Sequence, residues 1–75
     1  MQMKENDIIT IKHGHFGETT VKVVREYRKA VRLAGNASEV NIPKSAIDSD
    51  GYVADWPLQF LDVQFLWQAP YTGAA

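Results

Sequence analysis

The chain has 75 residues, of which 45% are hydrophobic and 23% charged, with a formal net charge of -1 and no cysteine. This length allows one small domain, which buries only roughly 60% of the surface that its unfolded chain exposes. Without cysteine, disulfides, thiolate metal sites and thiol nucleophiles are excluded. No apolar run approaches the roughly 20 residues that cross a bilayer, and residues 1–7 are polar rather than signal-like. We therefore expect a single cytoplasmic domain over 1–75, frayed at 1–6 and 71–75, with no membrane segment.

The first third of the chain predicts two β-strands. Residues 8–11 are all β-branched and predict the first strand. The glycine-rich stretch 13–17 then predicts a turn or an open loop. A second strand begins at Thr19, and Val24 interrupts its alternation of apolar and polar residues, which indicates a bulge or a strand covered on both faces.

The middle of the chain predicts a β-hairpin over residues 29–42. Its two strands alternate, with Arg32 pointing outward, and residues 35–38 form the turn between them. Pro43 ends the pairing because proline cannot donate a hydrogen bond to the strand ladder. Residues 43–47 predict one helical turn with proline at its first position.

The segment that follows Asp55 fits two conformations. Asp55 before Trp56-Pro57 resembles the start of a helix, whereas alternating apolar residues favour a strand over 60–67, preceded by a short turn at 57–59. We favour the strand, because a helix here would be apolar on both sides. In this strand, one face carries Leu61, Val63, Phe65 and Trp67, and the other face carries Phe60 and Leu66.

The predicted fold is a mostly β domain, a small antiparallel curled sheet or incomplete barrel of four or five strands with one or two short helical turns. Either conformation of the last segment leaves more apolar surface than so small a domain covers. Aromatic residues concentrated in such a surface typically mark a protein interface. We therefore predict docking on another protein, or on a second copy of the chain, through Trp56, Phe60, Phe65, Leu66 and Trp67. The alternative is that the N-terminal segment folds over this surface and buries it.

Basic residues are concentrated between positions 22 and 32. This stretch holds a single acidic residue, Glu26, beside the cations Lys22, Arg25, Arg28, Lys29 and Arg32. The simplest interpretation is that they keep the hairpin soluble and its edges unpaired. The alternative function is a small β-barrel nucleic-acid-binding protein that uses these cations. Binding of single strands needs aromatic rings beside the cations, yet most aromatic residues lie in the acidic last third of the sequence.

No motif in the chain predicts catalysis, a metal or a cofactor. His13, His15 and Glu18 lie close in sequence, but zinc generally needs three or four convergent ligands, and the chain has no further His and no Cys. Residues 48–51 begin like a calcium loop but lack its later oxygen ligands. Neither a nucleophile motif nor a phosphate-binding glycine loop is present. We therefore expect no enzyme activity, no cofactor and no metal.

Residues 29–33, Lys-Ala-Val-Arg-Leu, precede a polar turn and then residues 40–47, Val-Asn-Ile-Pro-Lys-Ser-Ala-Ile. This stretch resembles small, largely uncharacterised proteins of bacteriophages and mobile elements, which carry a K-A hairpin strand followed by V-W-I-P-K-S-x-I. Asn41 stands where that pattern usually has Trp. The resemblance implies a phage-type origin and a β-hairpin core. By analogy of size and origin, we expect a non-catalytic accessory protein that docks on another protein, such as a stoichiometric, anti-CRISPR-like inhibitor of a host defence complex.

Overall fold

Four antiparallel strands make up one sheet in the computed structural model, which describes residues 3–73. The strands pair in sequence order, as β1 (Ile8–His13), β2 (Gly17–Glu26), β3 (Ala30–Ala34) and β4 (Glu39–Pro43). Two 3-10 helices follow, at Lys44–Ala46 and Trp56–Gln59, and then helix α1 (Leu61–Gln68). The predicted mostly β fold is confirmed, together with the helical turns after Pro43 and at Pro57. The sheet is open rather than curled.

Alternation along the strands gives the sheet one apolar face and one polar face. The apolar side chains form what we call the inner face, which consists of Ile11, Val21, Val23, Val31, Leu33, Val40 and Ile42. Helix α1 covers the inner face with Val63 and Leu66, and Leu58 joins the same core. The polar side chains lie on the opposite side, the outer face, and contact solvent, as is usual for antiparallel sheets.

The local predictions for the hairpins are confirmed. The β-branched run at 8–11 forms most of β1, and the hairpin predicted over 29–42 is the β3–β4 pair. The Gly35 N–H donates to the Ser38 carbonyl across 2.9 Å and closes the turn between these strands. Turn chemistry and alternation therefore predict this half of the sheet.

A β-bulge lies in β2 at the residue that interrupts its alternation. The register with β3 passes from Val23↔Leu33 to Arg25↔Arg32, which leaves Val24 as an extra residue. If β2 alternated without interruption after Val23, the next residue on the inner face would be Arg25. The extra residue turns Arg25 to the outer face instead, opposite Arg32.

Residues 61–68 form helix α1, so the strand predicted over 60–67 is wrong. Phe60 is extended, with φ -92° and ψ 130°, and joins the second 3-10 helix to α1. A strand here would add to an edge of the sheet and leave the inner face open to water, whereas the helix covers that face with Val63 and Leu66. No helix within the described residues is long and apolar enough to cross a membrane.

Side-chain hydrogen bonds fasten the end of α1 to β2. The Thr19 hydroxyl donates to the Leu66 carbonyl across 2.6 Å inside the core. The Trp67 indole N–H donates to the Gly17 carbonyl across 2.9 Å. With 8 residues and no side-chain bond at its N-cap, α1 depends on these tertiary contacts rather than on local helix propensity.

The N-terminal segment is tied to the sheet, although we expected fraying over 1–6. Met3 is buried in the core. The Asn6 N–H donates to the Val23 carbonyl across 2.7 Å, and the Val23 N–H donates to the Asp7 carbonyl across 2.8 Å. Residues 1–2 of the segment lie outside the described residues.

The C-terminal tail is also tied to the sheet, in place of the fraying expected over 71–75. The Asn36 N–H donates to the Ala69 carbonyl across 2.8 Å, and the Tyr71 N–H donates to the Thr20 carbonyl across 2.9 Å. The tail therefore lies beside β2 beyond the end of β3. Residues 74–75 lie outside the described residues.

Substitution of Gly35 by alanine tests this attachment of the tail. An added Cβ would lie 2.5 Å from the Ala69 carbonyl oxygen, so Gly35→Ala should lower the free energy of unfolding by about 1–3 kcal/mol. Urea denaturation measures the change. Gly14→Ala is the matched control, because its added Cβ meets no atom within 4 Å. Equal midpoints for the two variants would contradict the close approach of the tail.

Substitution of Thr19 by valine tests the bond between β2 and α1. Thr19→Val keeps the shape of the side chain but leaves the buried Leu66 carbonyl without its donor, which should cost about 1–3 kcal/mol of the free energy of unfolding. Thermal unfolding followed by circular dichroism measures the loss. Thr10→Val, on the exposed outer face, should leave the midpoint almost unchanged. If both variants melt together, the Thr19 bond does not hold the helix.

Candidate docking surface on helix α1

Three large apolar side chains are exposed where the second 3-10 helix meets α1. Trp56 is 49% exposed, Phe60 55% and Leu61 60%. Phe65, one helical turn after Leu61, is half-buried. We call these four residues the docking surface. Exposed apolar residues that lie together on ordered structure, rather than singly, mark interaction sites.

The docking surface follows from how α1 packs on the sheet. Val63 and Leu66 face the inner face of the sheet and are buried. Because residues four apart share one side of a helix, Leu61 and Phe65 lie together on a different side, away from the core. In the second 3-10 helix, Pro57 and Leu58 are the buried residues, and Trp56 remains outside.

Two acidic residues adjoin the docking surface in the sequence. Asp55 precedes Trp56, and its side chain is 96% exposed. Asp62 follows Leu61 and is also exposed. The sequence contains no Lys or Arg after Lys44. Asp55 and Asp62 thus form an acidic rim beside the apolar side chains of the docking surface.

The residues predicted as an interface separate into exposed, half-buried and buried groups. Trp56 and Phe60 are exposed, while Phe65 and Trp67 are half-buried. Leu66, which we expected to point away from the core, is fully buried because α1 turns it toward the sheet. The sequence analysis missed Leu61, because the strand interpretation placed it in the core. In the helical alternative Leu61 and Phe65 are one turn apart, and this spacing is the sequence signal that places Leu61 on the same side as Phe65.

His13 anchors the segment that leads into the docking surface. Its Nε2 lies 2.7 Å from the Asp55 Oδ1. Its Nδ1 accepts the backbone N–H groups of His15, at 3.0 Å, and Phe16, at 3.3 Å. Since Nδ1 is an acceptor, the ring carries its hydrogen on Nε2 and donates it to the carboxylate. Both ring nitrogens of His13 are therefore hydrogen-bonded within the domain.

Trp67 belongs to an aromatic cluster at the β1–β2 turn. Its ring lies 6.0 Å from the ring of Phe16 and 6.5 Å from that of His13, the latter edge-on. Its indole N–H is bonded to Gly17. Trp67 is thus held by the domain itself. Within residues 3–73, no group of three or more His, Cys, Asp or Glu is placed to hold a metal ion.

The basic residues of 22–32 come together on the other side of the sheet. Lys22, Arg25 and Arg32 lie on the outer face. Arg28 and Lys29 are exposed in the β2–β3 turn. Helix α1 covers the inner face, so the sheet separates these cations from the docking surface.

No protein-family model, curated protein or solved structure matches this chain. Its function is therefore inferred from the docking surface and from the outer face of the sheet.

Proposed function

We propose that this protein acts without catalysis, by docking onto another protein through Trp56, Phe60, Leu61 and Phe65. The observation that carries the proposal is the exposure of three large apolar side chains within residues 56–61. Both helical elements that carry them are fixed to the sheet, so little conformational entropy is lost on binding.

Aromatic and aliphatic side chains supply the affinity of such a surface. Burying each large apolar side chain contributes roughly 1.5–3 kcal/mol, and tryptophan is among the residues most often found at binding hot spots. The rim of Asp55 and Asp62 selects a partner with Lys or Arg around an apolar pocket. Charges at the rim act mainly on the association rate, which should fall as salt is raised.

The resemblance of residues 29–33 and 40–47 to bacteriophage proteins supports a partner inside a bacterial host cell. We extend the proposal accordingly: the chain is a phage-type accessory protein in the host cytoplasm. Its size and origin favour a stoichiometric, anti-CRISPR-like inhibitor that occupies a host defence complex. A second copy of the chain is the other occupant that the same surface admits.

Replacement of two exposed residues tests the docking surface. The double variant Phe60→Asp, Leu61→Asp places charge at the centre of the surface and should abolish capture of a stoichiometric partner from bacterial lysate. Both positions are exposed, so each substitution should change the free energy of unfolding by no more than about 0.5 kcal/mol. Affinity capture followed by quantification of the bound partner measures the effect.

Ile8→Asp is the matched control, because Ile8 is exposed but lies on β1, away from the docking surface. It should capture the same partner as the wild type. Light scattering at micromolar concentration reports on a second copy. Identical capture by the wild type and the double variant would refute the docking surface. A wild-type dimer that becomes a monomer in the double variant would assign the surface to self-association.

A further inference from the structure

The fold places cations over tyrosine rings, and two of these three pairs join residues that are far apart in the sequence. Each of three cations lies over a tyrosine ring: Lys12 over Tyr52 at 5.4 Å, Lys22 over Tyr71 at 5.8 Å and Arg25 over Tyr27 at 5.4 Å. These cations project from the outer face of β1 and β2. Tyr71 reaches this face because the C-terminal tail bonds to Thr20. Rings alternating with positive charges are the surface that binding of single-stranded nucleic acid requires.

The bulge in β2 places two like charges opposite each other. Arg25 and Arg32 are direct cross-strand partners, an arrangement that destabilises an isolated sheet. Arg32 is bonded to Glu39 and, across 3.1 Å, to Asn41. Arg25 contacts the ring of Tyr27, and no carboxylate in residues 3–73 pairs with it. The repulsion between Arg25 and Arg32 is replaced by attraction when a polyanion lies between their guanidinium groups.

The charge around this pair is positive. Residues 22–32 contain five Lys or Arg and one Glu. That residue, Glu26, is bonded to Lys44 across 2.8 Å, and Arg32 is paired with Glu39. Within residues 3–73, Lys22 and Arg25 therefore have no carboxylate partner. The acidic docking surface lies on the other side of the sheet. A negatively charged ligand is therefore directed to the outer face.

We propose that the outer face binds single-stranded nucleic acid, with backbone phosphates on Lys22, Arg25 and Arg32 and bases stacked on Tyr27 and Tyr71. Tyr27 is 41% exposed, and Arg25 holds its ring in place. From Lys22 to Tyr27 the chain covers roughly 16 Å at about 3.3 Å per residue, enough to follow several nucleotides. A duplex keeps its bases paired and stacked, so it cannot use the tyrosine rings. This site and the docking surface are separate, so each stands or fails independently.

The test measures binding of the full chain to a labelled oligothymidylate of about 12 nucleotides, a length within the usual range of single-strand sites. Fluorescence anisotropy is recorded from about 50 to 200 mM salt, with a duplex of equal length in parallel. We expect the single strand to bind more tightly than the duplex. Three phosphate contacts predict a slope of log affinity against log salt of about -2.

Two variants separate the roles of charge and stacking. Arg25→Thr should weaken binding about fivefold and make the salt slope shallower by about 0.7. Tyr27→Leu should weaken binding about tenfold without changing the salt slope. Phe60→Asn, on the docking surface, is the control and should bind like the wild type.

Three results would each overturn the proposal. The first is no binding of the single strand at about 50 mM salt, where electrostatic contacts are strongest. The second is equal affinity for the duplex, or competition by polyglutamate as effective as that by unlabelled oligothymidylate, either of which would show a general attraction to anions. The third is unchanged affinity in both Arg25→Thr and Tyr27→Leu.

Discussion

The packing of helix α1 on the inner face of the sheet is the contact on which the rest of the structure depends. A meander of four strands with one apolar face cannot exclude water from that face by itself. The helix provides the cover with two buried side chains, Val63 and Leu66, and with the buried bond from Thr19. Because α1 has only 8 residues, its packing fixes which of its other side chains remain outside. The exposure of Leu61 is thus a consequence of the same contact that closes the core.

The two sides of the molecule have opposite chemistry. Helix α1 presents apolar side chains with an acidic rim, whereas the outer face presents cations paired with tyrosine rings. Net charge, which is -1 for the whole chain, conceals this separation. The two sides are separate because one core, between the sheet and the segments that cover its inner face, lies between them. Each side can then be altered with little effect on the other.

The sequence predicts the elements that local chemistry decides. The β3–β4 hairpin, the bulge at Val24 and the two helical turns at prolines all follow from alternation and turn residues. The conformation of α1 does not, because the alternating apolar run at 61–67 satisfies both a strand and a helix. Asp55, the expected helix cap, makes no capping bond and instead pairs with His13, 42 positions earlier. Of the three exposed apolar residues within 56–61, the sequence therefore indicates Trp56 and Phe60 but not Leu61. The pair of Lys22 with Tyr71 depends on where the tail lies, which no local pattern encodes.

The bonds from Thr19 to Leu66 and from Trp67 to Gly17 join positions 47 and 50 residues apart. On the ribosome, the β1–β2 hairpin is therefore made long before the helix that shelters it. Until α1 is made, the valines and isoleucines of this hairpin lack the cover of Val63 and Leu66 and are available to chaperones or to neighbouring chains. The core closes only when α1 has been made, so a chain that stopped before α1 would keep an open hydrophobic face.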